Sequence, residues 1–153
     1  MSLTARHKKP GGFRKLVNSL EVTPADKREK ILEAMRKEDP DFVAEVEQCL
    51  FSFDEFVTTP EPVLCEILHS MENEARTFAL ALYKNSNQAL VDKFMKCMLP
   101  KQAFECKELS KELDKVLVRE QLGSQFRIIE KARQLEQGGK FVLKKYSKVY
   151  LND

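Results

Sequence analysis

Between Asp39 and Phe56 the chain opens a helix with a strong cap and closes it in a phenylalanine-rich run, and no other stretch limits the fold as much. Asp39 can accept hydrogen bonds from the first free backbone N–H groups, and Pro40 fits the first helical position, where its missing donor costs nothing. Phe42, Val43, Val46, Cys49, Leu50 and Phe53 recur at helical spacing, so one side of the helix is apolar. The closing Leu50-Phe51-Ser52-Phe53 is too apolar for a surface loop. It plugs a helix end into the body of the protein and joins the chain on its N-terminal side to the chain on its C-terminal side. Two roles satisfy that pattern: a core helix ending in two core phenylalanines, or a hinge between two helical subdomains.

The rest of the chain reads as more helices. Pro10-Gly11-Gly12 is the strongest breaker, because glycine carries little backbone restraint, so residues 1–12 read as a flexible tail with Gly11 and Gly12 as linker. Phe13, Leu16, Val17 and Leu20 share one side of a short helix. Thr23-Pro24 opens the next, with Thr23 as cap; it buries Ile31, Leu32 and Met35 and pairs Glu33 with Lys37. Thr59-Pro60-Glu61 starts a helix carrying Val63, Leu64, Ile67, Leu68 and Met71. Asn73 to Tyr83 contains Phe78-Ala79-Leu80-Ala81-Leu82, apolar all round and suited to the middle of a bundle. Asn87 caps a helix with Leu90, Val91, Phe94, Met95 and Met98 in its stripe.

Leu99-Pro100 begins a longer helix with a poor cap, since leucine cannot bond the free N–H groups. Counting 100° per residue from Lys101, the apolar Cys106, Leu109, Leu113, Val116 and Leu117 fall between roughly 60° and 160°. Lys101, Glu105, Glu108 and Glu112 fall within about 40° of zero. A charged ridge and a core face thus occupy different sides of one helix, which bends somewhere between Ser110 and Val118. A last helix from Arg119 to Gln137 places Leu122, Phe126, Ile129, Ala132 and Leu135 inward and stops at Gly138-Gly139. Lys140 to Leu143 is a short extended segment. The expected fold class is all-α: an armadillo- or HEAT-like stack of about seven or eight helices in two subdomains joined at the phenylalanine-rich hinge. The expected division is a tail over 1–12, an N-terminal helical subdomain over 13–52, a C-terminal one over 53–143 and a basic tail over 144–153.

Chemistry is conspicuously sparse. The 26 basic and 24 acidic side chains leave a net charge of only +2, which is no nucleic-acid footprint. No apolar run is long enough to cross a bilayer, and no signal-peptide pattern opens the chain. The four cysteines lack a C-x-x-C pair and suit buried thiols in a reducing cytosol. His7 and His69 have neither ligand nor catalytic spacing and read as surface histidines. There is no phosphate-cradling glycine loop, and paired acids such as Glu45/Glu47 or Glu72/Glu74 suit a solvated helix face. The reading is of a non-enzyme with no cofactor, metal or small-molecule substrate.

Several short motifs add to this in order: Gly11-Gly12, Lys30-Ile31-Leu32, Asp39-Pro40-Asp41, Leu50-Phe51-Ser52-Phe53, Phe78-Ala79-Leu80-Ala81-Leu82, Phe94 to Ala103, and Leu135 through Leu143. In this order and spacing the chain resembles the C-terminal part of the flagellar motor switch protein FliG. Leu50-Phe51-Ser52-Phe53 stands where that family has M-F-x-F. The resemblance implies an armadillo-like rotor component, cytoplasmic and peripheral at the inner membrane on the flagellar basal body. It implies partners in the stator protein MotA, in FliM and in neighbouring FliG copies forming a ring. It implies stator-facing charges, for which this sequence offers Lys84, Lys101, Glu105, Glu108, Lys115 and Arg119. The family pattern is only partly kept: its lysine after A-L-A-L falls on Tyr83, its second paired acid on Leu109, and its G-P-V-R loop on Asp114-Lys115-Val116-Leu117. An armadillo-like scaffold, or a divergent paralogue with other protein partners and no torque role, is the other reading.

Overall fold

The computed structural model describes residues 2–151. Among them are eight α-helices and no strand: α1 Gly12–Glu21, α2 Ala25–Glu38, α3 Pro40–Cys49, α4 Glu61–Ser70, α5 Ala75–Ala81, α6 Gln88–Cys97, α7 Pro100–Glu112 and α8 Val118–Gln137. Short 3₁₀ turns cover Ala5–Lys8 and Phe53–Val57. The all-helical expectation holds. The chain forms two compact units, one of residues 2–51 with 144–151, the other of 52–143.

In the first unit, α1, α2 and α3 close on Phe13, Val17, Leu20, Leu32, Met35, Phe42, Val43 and Val46. The cap of α3 is as expected: Asp39 Oδ1 accepts from the Phe42 N–H at 3.1 Å, with Pro40 the first helical residue. The Thr23 cap is not formed. Its hydroxyl donates instead to the Ser19 carbonyl at 2.7 Å, at the end of α1, and α2 starts uncapped behind Pro24. Nor does Glu33 pair with Lys37: Arg36 takes Glu33, and reaches Glu47 at 3.1 Å.

Both chain ends differ from the expected tails. Glu38 gathers the Ser2 hydroxyl, the Leu3 N–H at 2.7 Å and the Thr4 hydroxyl at 3.2 Å, and Lys8 bonds Asp39 at 2.5 Å. Gly11 and Gly12 are therefore not a linker. Gly11, at φ 77°, sits at the head of α1, and Gly12 is its first residue. A Cβ on Gly12 would stand 2.6 Å from the Arg6 carbonyl oxygen, so glycine there permits close packing of the Ala5–Lys8 turn. At the other end, 144–151 belongs to the first unit. Lys144 Nζ donates to the Leu50 carbonyl at 2.7 Å, Tyr146 donates to Asn18 Oδ1 at 2.6 Å, and Tyr150 packs edge-on to Phe42 with ring centres 4.9 Å apart.

In the second unit α5 lies against α7 and α8, and α4 against α6. The apolar α5 stripe is central, as its pattern demands: Phe78, Ala79 and Ala81 are fully buried. Phe53, Phe56 and Phe94 form an aromatic cluster with centroid separations of 5.3 to 5.7 Å. Lys93 closes the end of the Phe53–Val57 turn, donating to the carbonyls of Phe56 at 2.8 Å, Val57 at 3.0 Å and Thr59. Asn87 caps α6 as expected, accepting from the Leu90 N–H at 3.2 Å.

The expected bend after α7 is a complete break. Residues 113–117 are extended, so Leu113, Val116 and Leu117 do not continue the α7 core stripe, and Leu117 is 50% exposed. The Tyr83 hydroxyl donates to the Asp114 carbonyl, supplying a partner that a continuing helix would have provided from its own backbone. The α8 face is also shifted: Ile128, Ile129 and Ala132 are buried with Arg133, while Leu122, Phe126 and Leu135 are half-buried.

Candidate functional site

The poor cap predicted for α7 is offset from within the helix. Gln102 is buried; its Oε1 accepts from the Leu99 N–H at 2.9 Å, and its Nε2 donates to the carbonyls of Leu68 at 2.7 Å and Met71 at 3.3 Å. Gln102 and buried Cys106 together fix which way α7 faces. Its other side is then committed to solvent.

That side carries the predicted ridge. Lys101 Nζ lies 4.0 Å from Glu105 Oε1 one turn on, with the Lys101 side chain 86% exposed. Glu108 pairs with Lys111 at 3.1 Å. Lys101, Glu105 and Glu108 are thus brought onto one face as helix geometry requires, and their exposed pairs contribute little to stability.

The other three predicted charges come from different elements. Lys84 stands in the turn after α5, in the left-handed backbone region at φ 47°, with Nζ 5.4 Å from the Tyr83 ring centre. Tyr83 anchors that turn: besides its hydroxyl bond to Asp114, its carbonyl accepts from Gln121 Nε2 at 2.7 Å. The same hydroxyl bond draws the Lys84 turn next to the segment bearing Lys115. Lys84 and Glu108 line one groove of about 680 Å³ between α5, α6 and α7. Lys115 and Arg119 are exposed on the 113–117 segment and the first turn of α8.

Of the predicted hinge residues, Phe51 is buried and its N–H donates to the Glu21 carboxylate at 2.7 Å. The Ser52 N–H donates to Glu55 Oε2 at 2.6 Å. The two units meet in the sequence between these residues. Leu50 packs on the core of the first unit, and Phe53 belongs to the aromatic cluster of the second.

Sequence reasoning misses Phe104. It is 66% exposed on α7, beside the ridge, and it lines the groove shared by Lys84 and Glu108. Its position, about 60° round the helix from Lys101 and away from Cys106, is the signal that the sequence offers for it.

No cluster of metal-ligating side chains occurs among the described residues. His69 Nε2 is hydrogen-bonded to the Cys97 carbonyl at 2.8 Å. All four cysteines are free thiols, and burial pushes Cys97 up to about 12 and raises Cys106 as well, so both stay protonated and unreactive at neutral pH. No helix among the described residues is long and apolar enough to cross a membrane.

Comparison with known proteins agrees with the all-helical fold. No curated protein matches the chain. Among solved structures it is similar to FliG residues 116–343 from H. pylori, with a TM-score of 0.56 at 22% identity, over 86% of this chain and 57% of that one. The chain therefore spans little more than half of that segment. The profile of the FliG C-terminal domain matches residues 33–143, from within α2 to the end of the second unit, and the chain belongs to the FliG C-terminal domain family.

Proposed function

We propose that the chain is a non-enzymatic rotor and switch component of the flagellar motor, working by electrostatic contact at the α7 face. The carrying observation is the orientation of that helix: Gln102 and Cys106 hold one side in the core and leave Lys101, Glu105 and Glu108 projecting into water. Charges so placed act across a gap of about a Debye length, roughly 8 Å at physiological salt, without close packing. Lys84, Lys115 and Arg119 extend the pattern around the same unit. Family membership supports a setting on the cytoplasmic side of the basal body, with the stator protein MotA as the partner of these charges and with FliM and neighbouring copies elsewhere. The Leu50-Phe51-Ser52-Phe53 run, where one unit gives way to the other in the sequence, is the proposed hinge.

The test is a paired reversal, Lys101→Glu with Glu108→Lys, in the native gene. Exposed charge changes of this kind alter stability by about 0.5 kcal/mol or less, so melting should be unchanged while motor rotation is impaired. Normal rotation by a stably folded double variant would remove the stator reading and leave a helical scaffold with other partners. For the hinge, Phe51→Ala and Phe53→Ala should each change the small-angle scattering profile; unchanged profiles would refute it.

A further inference from the structure

The groove between α5, α6 and α7 is built differently from the charged ridge beside it. Its lining is largely apolar: Val91 and Met95, one helical turn apart on α6, line it together with Leu82 after α5 and Phe104 on α7. Phe104 is the only phenylalanine among the described residues left exposed. An aromatic side chain left 66% exposed on an ordered helix is a large apolar area with nothing packed over it.

The rim supplies the second observation. Of its charged side chains, Glu108 and Lys111 pair with each other at 3.1 Å, and Asp92 accepts from Gln88 Nε2 at 2.7 Å. Lys84 and Lys107 have no carboxylate partner among the described residues, and Lys84 only overlies the Tyr83 ring. Lys84 is held in position by the Tyr83 anchor, so its cation is presented from a fixed turn rather than from a loose loop.

We propose that this groove binds an acidic amphipathic helix of a partner protein, the apolar face of that helix covering Phe104 and the Val91/Met95 stripe and its flanking carboxylates meeting Lys84 and Lys107. Two apolar stripes on neighbouring helices with a gap between them form the seat into which a third helix lays its i, i+3, i+4 side chains. The two lysines select the charge of the helix that lies there. The groove shares Lys84 and Glu108 with the charges proposed to meet the stator but not Lys101 or Glu105, and dependence on Phe104 distinguishes this binding from charge contact at the ridge.

The experiment uses the full chain and a fluorescein-labelled synthetic helix of about 15 residues, with leucines at i, i+3, i+4 and i+7 and glutamates flanking them. A second peptide carries lysine at every glutamate position. Fluorescence polarisation should show the acidic peptide binding and the basic one not, with affinity falling as salt rises from about 0.05 to about 0.5 M. Phe104→Ser should weaken the acidic peptide by about tenfold or more. The double variant Lys84→Glu/Lys107→Glu should exchange the preference toward the basic peptide. Both sites are exposed, and unchanged melting curves would verify that the variants fold. Backbone amide shifts on titration should centre on Val91, Met95 and Phe104. Equal binding of both peptides, binding indifferent to Phe104→Ser, or no binding of the acidic peptide would overturn the proposal. So would concentration-dependent self-association abolished by Phe104→Ser, which would assign the groove to a second copy of the chain.

Discussion

At the scale of single residues, buried polar side chains hold this molecule in ways that hydrophobic patterning does not show. Gln102 is the clearest, since it caps the start of α7 with one hydrogen bond and ties it to the end of α4 with two more. Gln102→Leu keeps the size and removes the bonds; it should destabilise the second unit by about 1–3 kcal/mol, read as a lower denaturant midpoint. Gly12→Ala should loosen the Ala5–Lys8 turn, because the added methyl meets the Arg6 carbonyl, and amide exchange near residues 5–8 would accelerate. The neighbouring acids give a pH signature. The Ser2 hydroxyl and Leu3 N–H hold Glu38 below the ordinary carboxylate range, and the Lys8 ammonium and Phe42 N–H do the same for Asp39. A depressed folded value means that the stabilisation is complete above the unfolded pKa, near about 4, and is lost as pH falls through the lower folded value. Thermal melts of Glu38→Gln/Asp39→Asn should start lower at neutral pH and flatten on the acid side, where the parent chain continues to lose stability.

At the scale of elements, the sequence is legible where apolar spacing and cap chemistry agree, and misleading where a distant side chain intervenes. Asp39 and Asn87 cap as local chemistry requires, and the α5 stripe is central because it has no polar side to expose. Thr23 fails as a cap because α2 begins at Ala25 with Pro24 in the cap position, one residue past Thr23, whose hydroxyl donates back to the Ser19 carbonyl of the preceding helix. The break at residues 113–117 is unreadable in detail, since its anchor is Tyr83, about thirty residues earlier in the chain. The α7 ridge is legible from angular position alone, whereas Phe104 escapes notice beside it because a phenylalanine on a helix is ordinarily counted as core. Tyr83→Phe isolates that anchor. It removes one hydroxyl, should cost about 1 kcal/mol, and should raise exchange at 113–118 before exchange within α5 changes.

At the scale of the whole molecule, the chain leaves its first unit after Phe51 and returns to it at Lys144, so the basic C-terminal segment is part of the fold that the first residues begin. Composition disguises this, because Lys144, Lys145 and Lys148 make 144–153 look like a solvated tail. The tyrosines decide otherwise. Tyr150 lies edge-on to Phe42 at 4.9 Å and stacked on Phe13 at 6.0 Å, and the Arg14 guanidinium sits 4.4 Å from the Tyr146 ring centre. Each aromatic pair adds about 0.5–1.5 kcal/mol beyond the area it buries. Tyr146→Ala/Tyr150→Ala should therefore destabilise the first unit by several times that of a single exposed substitution and speed amide exchange in α1 and α3. Exchange in α5 and α7 should be unchanged, because the second unit has its own core. Equal acceleration in both units would show that they unfold as one body, and no acceleration in α1 or α3 would return residues 144–151 to the status of a tail.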